Sequence, residues 1–163
     1  MGYDPLKVNA EQFTTPQVIN ELRSKTIAYT RLKLALETGK LKMHTPSTAA
    51  LEEIEEASRK LGDLPVLSKA DKEVLATALE LSKNRLNPKL VSDDYAIQNI
   101  AESLNIKYTS LTTFGIRYRF KWVLYCPACK RKYPPDTASA TVCTVCGTQL
   151  KRRVLRKEAV KGK

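Results

Sequence analysis

Two C-x-x-C pairs, Cys126-Pro127-Ala128-Cys129 and Cys143-Thr144-Val145-Cys146, separated by 13 residues, constrain this chain more than anything else in it. A C-x-x-C turn presents two thiolates to one side of an ion, and two such turns supply the four soft ligands that Zn2+ prefers in a tetrahedron. With every ligand position filled no place is left for water, so the expected zinc is structural. An iron–sulfur centre and a pair of redox dithiols are the alternatives open to the same residues. The chain has four cysteines in all, so no disulfide framework holds the remainder. A loop of this size with few large apolar residues is expected to fold only around its metal.

Charge divides the chain at about the same place. Residues 1–114 hold 15 basic and 15 acidic side chains, whereas residues 115–163 hold 13 basic and 2 acidic, so the whole net charge of +11 lies in the C-terminal third. Clustered Lys and Arg gain affinity for nucleic acid by releasing counterions condensed on phosphates. An anionic membrane or an acidic protein uses the same charge less well, and nucleic acid is the expected partner. Arg117, Arg119 and Lys121 alternate with Tyr118, Phe120 and Trp122, which on a strand puts cations on one face and rings on the other. The cations suit phosphate; the rings either stack on bases or pack the ribbon against its neighbour. Lys130, Arg131, Lys132, Lys151, Arg152 and Arg153, with Arg156 and Lys157, extend the charge. Beyond Val154 the alternative is a solvated tail.

The first 114 residues read as an α/β unit. A loop runs to Thr15-Pro16, an N-cap followed by proline at the first helical position, and one apolar-periodic helix then runs to Gly39. Leu41 to Thr45 reads as a strand, 47–60 as a helix with a solvated face of Glu52, Glu53, Glu55 and Glu56, and Gly62 and Pro65 as a break. Ser68 to Asp71 has capping-box spacing and opens a strong helix ending near Asn84. A strand at 89–92, a helix from Tyr95 to Leu104 capped by Asp93 or Asp94, and a strand at 107–111 complete the cadence of a parallel sheet with flanking helices. No run reaches the roughly 18 apolar residues that span a bilayer, and Met1 to Pro5 contain no signal-peptide core. A soluble, intracellular protein of the cytoplasm, acting away from membranes, is expected.

Glu21, Asp71 and the pair Asp93-Asp94 fall where chemistry at the carboxyl ends of such strands occurs. Gathered carboxylates there bind Mg2+ or Mn2+ through hard oxygen ligands. Each also has an ordinary role, as capping-box partner, N-cap or surface acid. The lone His44 argues against a two-histidine acid–base mechanism and suits a structural role.

Taken in order, Thr14-Thr15-Pro16-Gln17-Val18-Ile19-Asn20-Glu21-Leu22, Leu67-Ser68-Lys69-Ala70-Asp71 and Leu90-Val91-Ser92-Asp93-Asp94-Tyr95-Ala96-Ile97-Gln98-Asn99, followed by a four-cysteine ribbon, closely resemble the archaeal Nob-type endonucleases. The resemblance runs from about Gln12 to Arg153. It implies a PIN nuclease domain over residues 1–113 and a zinc ribbon with a basic tail over 114–163. The implied activity is Mg2+- or Mn2+-dependent cleavage of precursor small-subunit ribosomal RNA at its three-prime end, on the small subunit and alongside its assembly factors. Glu21, Asp71 and Asp94, with Asp93, match the family's metal-binding carboxylates, and Ser92 stands where the family has a supporting Thr or Ser.

One departure stands out. The family's domain opens with a hydrophobic strand ending in a metal-binding aspartate, and Met1-Gly2-Tyr3-Asp4 resembles the loop after that strand, so the PIN-like part is N-terminally incomplete by this comparison. Asp4, beside Pro5, is an ordinary turn residue. The expectation is that the natural start lies upstream, at a methionine before this one. The alternative function is a catalytically inactive RNA-binding ribosome-assembly factor. A third, a DNA-directed zinc ribbon, explains the cysteines but not the carboxylates.

Overall fold

The computed structural model describes residues 4–22, 26–62, 66–111, 118–134 and 142–159. A single 3-10 turn, Pro5–Lys7, is capped by Asp4, whose carboxylate accepts from Leu6 N at 3.2 Å. Strand β1 (Phe13–Thr14) follows, and its carboxyl end turns at Thr15 into helix α1 (Pro16–Glu21). A two-residue strand has no periodicity to detect, which is why the sequence reads as loop here.

The single helix expected between Pro16 and Gly39 is two. Leu22 is extended, and helix α2 (Ile27–Glu37) starts afresh from Thr26, whose hydroxyl accepts from Tyr29 N. A threonine that bonds its own downstream backbone competes with helix continuation. Gly39 then takes φ 69° beyond the helix, the left-handed geometry that glycine adopts without strain.

Strand β2 (Lys42–Met43) pairs parallel with β1. Helix α3 (Thr48–Leu61) is N-capped by Ser47 and closed by Gly62 at φ 77°. Helix α4 (Lys69–Lys83) carries the expected capping box, in which Asp71 N donates to Ser68 Oγ and Ser68 N donates to Asp71 Oδ2. Strand β3 (Lys89–Val91), helix α5 (Tyr95–Ser103) and strand β4 (Lys107–Thr109) form a second parallel pair, with Leu90 opposite Tyr108. This is the α/β architecture of parallel strands and helices, arranged as two separate pairs: among the described residues no strand joins β1 to β3.

The core explains this arrangement. Ile54, Leu75 and Ile100, from α3, α4 and α5, are fully buried and pack with Leu79, Leu90, Ile97 and Ile106. Helix α4 contacts α1, α3, α5 and β3, so it is the element against which both strand pairs are held. The glutamates of α3 lie on its solvated side and pair with lysines: Glu55 with Lys72 at 2.7 Å, Glu56 with Lys60 at 2.6 Å, and Glu53 with Lys83.

The C-terminal residues form an antiparallel sheet in the order β6-β5-β7, from β5 (Tyr118–Tyr125), β6 (Lys132–Tyr133) and β7 (Lys151–Ala159). The chain beyond Val154 is thus strand as far as Ala159, paired along β5 with a bulge at Lys121/Trp122. Both α3 and α5 contact β5.

His44 ties β2 to α4. Its Nε2 donates to Glu80 Oε2 at 2.8 Å while Ser47 N donates to Oε1 at 2.9 Å, anchoring the start of α3 to the same carboxylate. These bonds, His44 first, hold the Glu80 carboxyl down at about 2. A carboxylate with a depressed folded-state pKa contributes stability above its unfolded value and loses it as pH falls toward the folded one. Glu80→Gln should therefore cost about 1–2 kcal/mol at pH 7, a difference that shrinks as pH falls from 4.5 toward 2, read by denaturant unfolding monitored on helix signal.

Candidate functional site

The two cysteine knuckles have the same backbone geometry. Cys126 N donates to Arg131 O at 2.9 Å and Lys130 N to Cys126 O at 3.0 Å; in the second knuckle Cys143 N donates to Thr148 O at 2.8 Å and Gly147 N to Cys143 O at 2.9 Å. The residue after each second cysteine is left-handed, Lys130 at φ 62° and Gly147 at φ 70°. Cys126 directly follows β5 and is buried with Cys143, while Cys129 and Cys146 face outward.

Packing around them is sparse. Tyr133 joins Cys126 and Cys143 in a cluster to which Leu124 and Leu150 add partly buried contacts. Such a cluster buries little apolar surface, the situation in which small domains draw stability from a bound metal.

All four sulfurs lie within 4.8 Å of one another. Cys126 and Cys146 are 3.4 Å apart and Cys129 and Cys143 3.5 Å, too far for disulfides. Ligands at about 2.3 Å from one tetrahedral Zn2+ stand roughly 3.8 Å from each other, so the quartet fits a single zinc ion. A polynuclear cluster interposes inorganic sulfide and needs its thiolates spread wider.

Hydroxyls complete the surroundings of the second knuckle. Tyr133 Oη lies 2.9 Å from Cys143 Sγ and 3.2 Å from Thr144 Oγ1 and accepts from Thr144 N at 3.2 Å, so it is placed to donate a hydrogen bond to the sulfur. That bond, helped by the backbone N–H groups of Val145 and Cys146, holds the Cys143 thiol down at about 6. Thr148 Oγ1 stands 3.3 Å from Cys146 Sγ. Sequence reasoning missed both hydroxyls; the signal was one large polar ring, Tyr133, in a ribbon poor in large residues.

The basic side chains follow the sheet. Lys121, Lys130, Arg131, Lys132, Lys151 and Arg153 are exposed. Lys121 stands directly opposite Arg156, and Val123 and Tyr125 face Arg153 and Lys151; like charges across a strand pair repel unless an anion lies between them. Arg152 is half-buried with its guanidinium 4.4 Å from the centre of the Trp122 ring, and Phe120 packs 5.9 Å from the same ring. Phe120 and Trp122 thus pack within the sheet. Arg119 lies in β5 opposite Glu158, and Arg117 lies outside the described residues.

The four candidate carboxylates all stand at helix termini or strand ends. Glu21 is the last residue of α1, exposed, with no hydrogen bond or ion pair among the described residues. Asp71 caps α4 through Oδ2 alone. Asp94, rather than Asp93, is the N-cap of α5, its Oδ1 accepting from Ala96 N at 2.6 Å and Ile97 N at 3.3 Å. Asp93 instead clamps the end of β4, where its Oδ1 accepts from Ser110 Oγ and from Leu111 N at 2.9 Å. Ser92 Oγ accepts from Asp94 N at 3.1 Å, a supporting role for that serine.

Asp71 and Asp94 therefore spend one carboxylate oxygen on a cap and keep the other uncommitted. Their oxygens do not converge with those of Glu21 and Asp93; among the described residues the cysteines are the only group of three or more that does. Asp93 and Asp94 follow β3 and Glu21 ends the helix that follows β1; among the described residues these strands are in different pairs.

The family model for the PIN domain of ribonuclease matches residues 4–81, a span holding Glu21 and Asp71. Endoribonuclease Nob1 of Methanocaldococcus jannaschii is 38% identical over 155 residues, covering 95% of this chain and 73% of that one. The Nob1 endoribonuclease of Pyrococcus abyssi is 35% identical over 144 residues (88% and 84%), and that of Archaeoglobus fulgidus 37% over 136 residues (83% and 76%). The chain belongs to the Nob1 endoribonuclease family. It is an endoribonuclease with a PIN domain and a four-cysteine cluster that can hold zinc. Among the described residues no helix is long and apolar enough to cross a membrane.

The quartet predicts one zinc per chain by elemental analysis, lost in Cys143→Ser together with ribbon amide dispersion. Tyr133→Phe removes only the hydroxyl and should weaken zinc retention against a chelator by roughly 10-fold; unchanged retention would show that the hydroxyl does not support the thiolate.

Proposed function

We propose that this endoribonuclease is metal-dependent and cuts precursor small-subunit ribosomal RNA at its three-prime end, in the cytoplasm, on the maturing subunit and its assembly factors. In this reading residues 1–113 form the cutting unit and residues 114–163 the unit that grips RNA. The observation that carries it is the similarity to Nob1 endoribonucleases across 95% of the chain, which takes in the carboxylate segments and the basic ribbon together.

Glu21, Asp71 and Asp94, with Asp93, are the residues that would hold Mg2+ or Mn2+. Such an ion supplies charge neutralisation at a phosphodiester and a more acidic bound water. Capping supports the assignment of Asp71 and Asp94: one oxygen bonded to helix N–H groups fixes the carboxylate plane while the second stays available. Helix N-termini also favour the approach of anionic phosphate. The ribbon's contribution is positional, with the exposed Lys121, Lys130, Arg131, Lys132, Lys151 and Arg153 meeting phosphates, and with Arg117, Arg119 and Arg152 adding to the same charge. Zn2+ holds that surface in shape.

Asparagine is a good cap and keeps an acceptor oxygen, so Asp71→Asn and Asp94→Asn separate capping from metal binding. Each should lower Mn2+-supported cleavage of an RNA spanning the small-subunit three-prime end by at least about 100-fold, with unfolding free energy changed by less than about 0.5 kcal/mol. Cleavage equal to that of the parent chain would remove these residues from the site. RNA bound but cut by none of the proteins, the parent included, would favour the assembly-factor reading.

A further inference from the structure

Asn99 is a polar residue on the inward side of α5, between Ile97 and Ile100, and it is 3% exposed. Its Nδ2 donates to Phe120 O at 2.9 Å and its Oδ1 accepts from Phe120 N at 2.9 Å. One carboxamide thereby satisfies both backbone groups of one residue of β5, as a neighbouring strand would. Among the described residues no strand reaches that edge at Phe120. Strand β7 runs along one side of β5 from Tyr118 to Tyr125, and β6 reaches the other side only at Leu124 and Tyr125.

The bond joins two units that do different things in the proposed function, on which this inference rests. At the N-terminus of α5 stands Asp94; Asn99 lies five residues on in the same helix. At the other end of the bond, Phe120 adjoins Lys121 and precedes Cys126, so the strand held by Asn99 carries the basic surface and leads straight into the first knuckle. We propose that Asn99 is a positioning residue that sets the orientation of the basic ribbon relative to the carboxylate end of α5, and hence where an RNA gripped by the ribbon is cut.

The chemistry is specific to asparagine. Alanine leaves Phe120 N–H and C=O without their partner at that edge, and unmade backbone bonds in a protected place are costly. Aspartate has the same shape but presents two acceptors, so the bond to Phe120 O becomes a repulsion and a charge is buried. Glutamine reaches one methylene too far.

The experiment uses the full zinc-loaded chain and residual dipolar couplings of backbone amides. In the parent, couplings from α3, α4 and α5 and from β5 and β7 should fit one alignment tensor. In Asn99→Ala and in Asn99→Asp they should need two, while zinc content stays at one per chain and the couplings of α4 among themselves keep their fit. With these variants, cleavage of a long RNA that reaches both units should fall at least 10-fold in kcat and spread over several positions, while a short oligonucleotide that reaches only the carboxylates is cut within 3-fold of the parent rate. A single tensor in both variants overturns the proposal, as does an equal loss on long and short RNA. Two tensors in variants of a parent that cuts neither RNA would leave the orientation role standing and overturn the functional reading instead.

Discussion

Four cysteine sulfurs drawn to one point organise the C-terminal third of this molecule. The cluster around Cys126, Tyr133 and Cys143 is small, and β6 contributes two residues to the sheet. What fixes the turn between β5 and β6, and the loop that returns to β7, is therefore the pair of identical knuckles on either side of the ion. The long β5–β7 pairing runs from these knuckles, with Arg152 over Trp122 and Lys121 opposite Arg156.

The N-terminal part is held by ordinary burial. Helix α4 lies at its centre, with α1, α3, α5 and β3 in contact with it. Among the described residues β1 and β3 are in separate strand pairs, and α1 and α3, both packed on α4, lie between them in the chain. The two parts meet at β5, where α3 and α5 pack and where Asn99 substitutes for a strand.

What the sequence made legible is what short-range geometry decides. The knuckles span four residues each, the capping box at Ser68 and Asp71 four, and Asp94 bonds backbone two and three residues away; in each case the chemistry lies within one turn of chain. Charge partition was equally plain, since it needs only counting. Structure decided by distant partners was not legible. Strand β1 pairs with β2, α2 starts afresh where Thr26 accepts from Tyr29 N, and the residues after Val154 pair with β5 as far as Ala159, so the basic run for which a solvated tail was the alternative is a strand there. Asn99 looks like one polar residue misplaced on an apolar helix face until Phe120 is seen opposite it. The carboxylates were legible as candidates through their motifs.

The central claim is that the metal-shaped ribbon is what grips RNA. Its most direct test is the salt dependence of RNA affinity for the intact chain, measured with zinc bound and after chelation. Each phosphate contacted on single-stranded RNA contributes about −0.7 to the slope of log affinity against log salt. The account predicts a steep slope with zinc, equivalent to several contacts, that falls by at least half when the metal is removed; the same slope in both states would mean that RNA is held elsewhere.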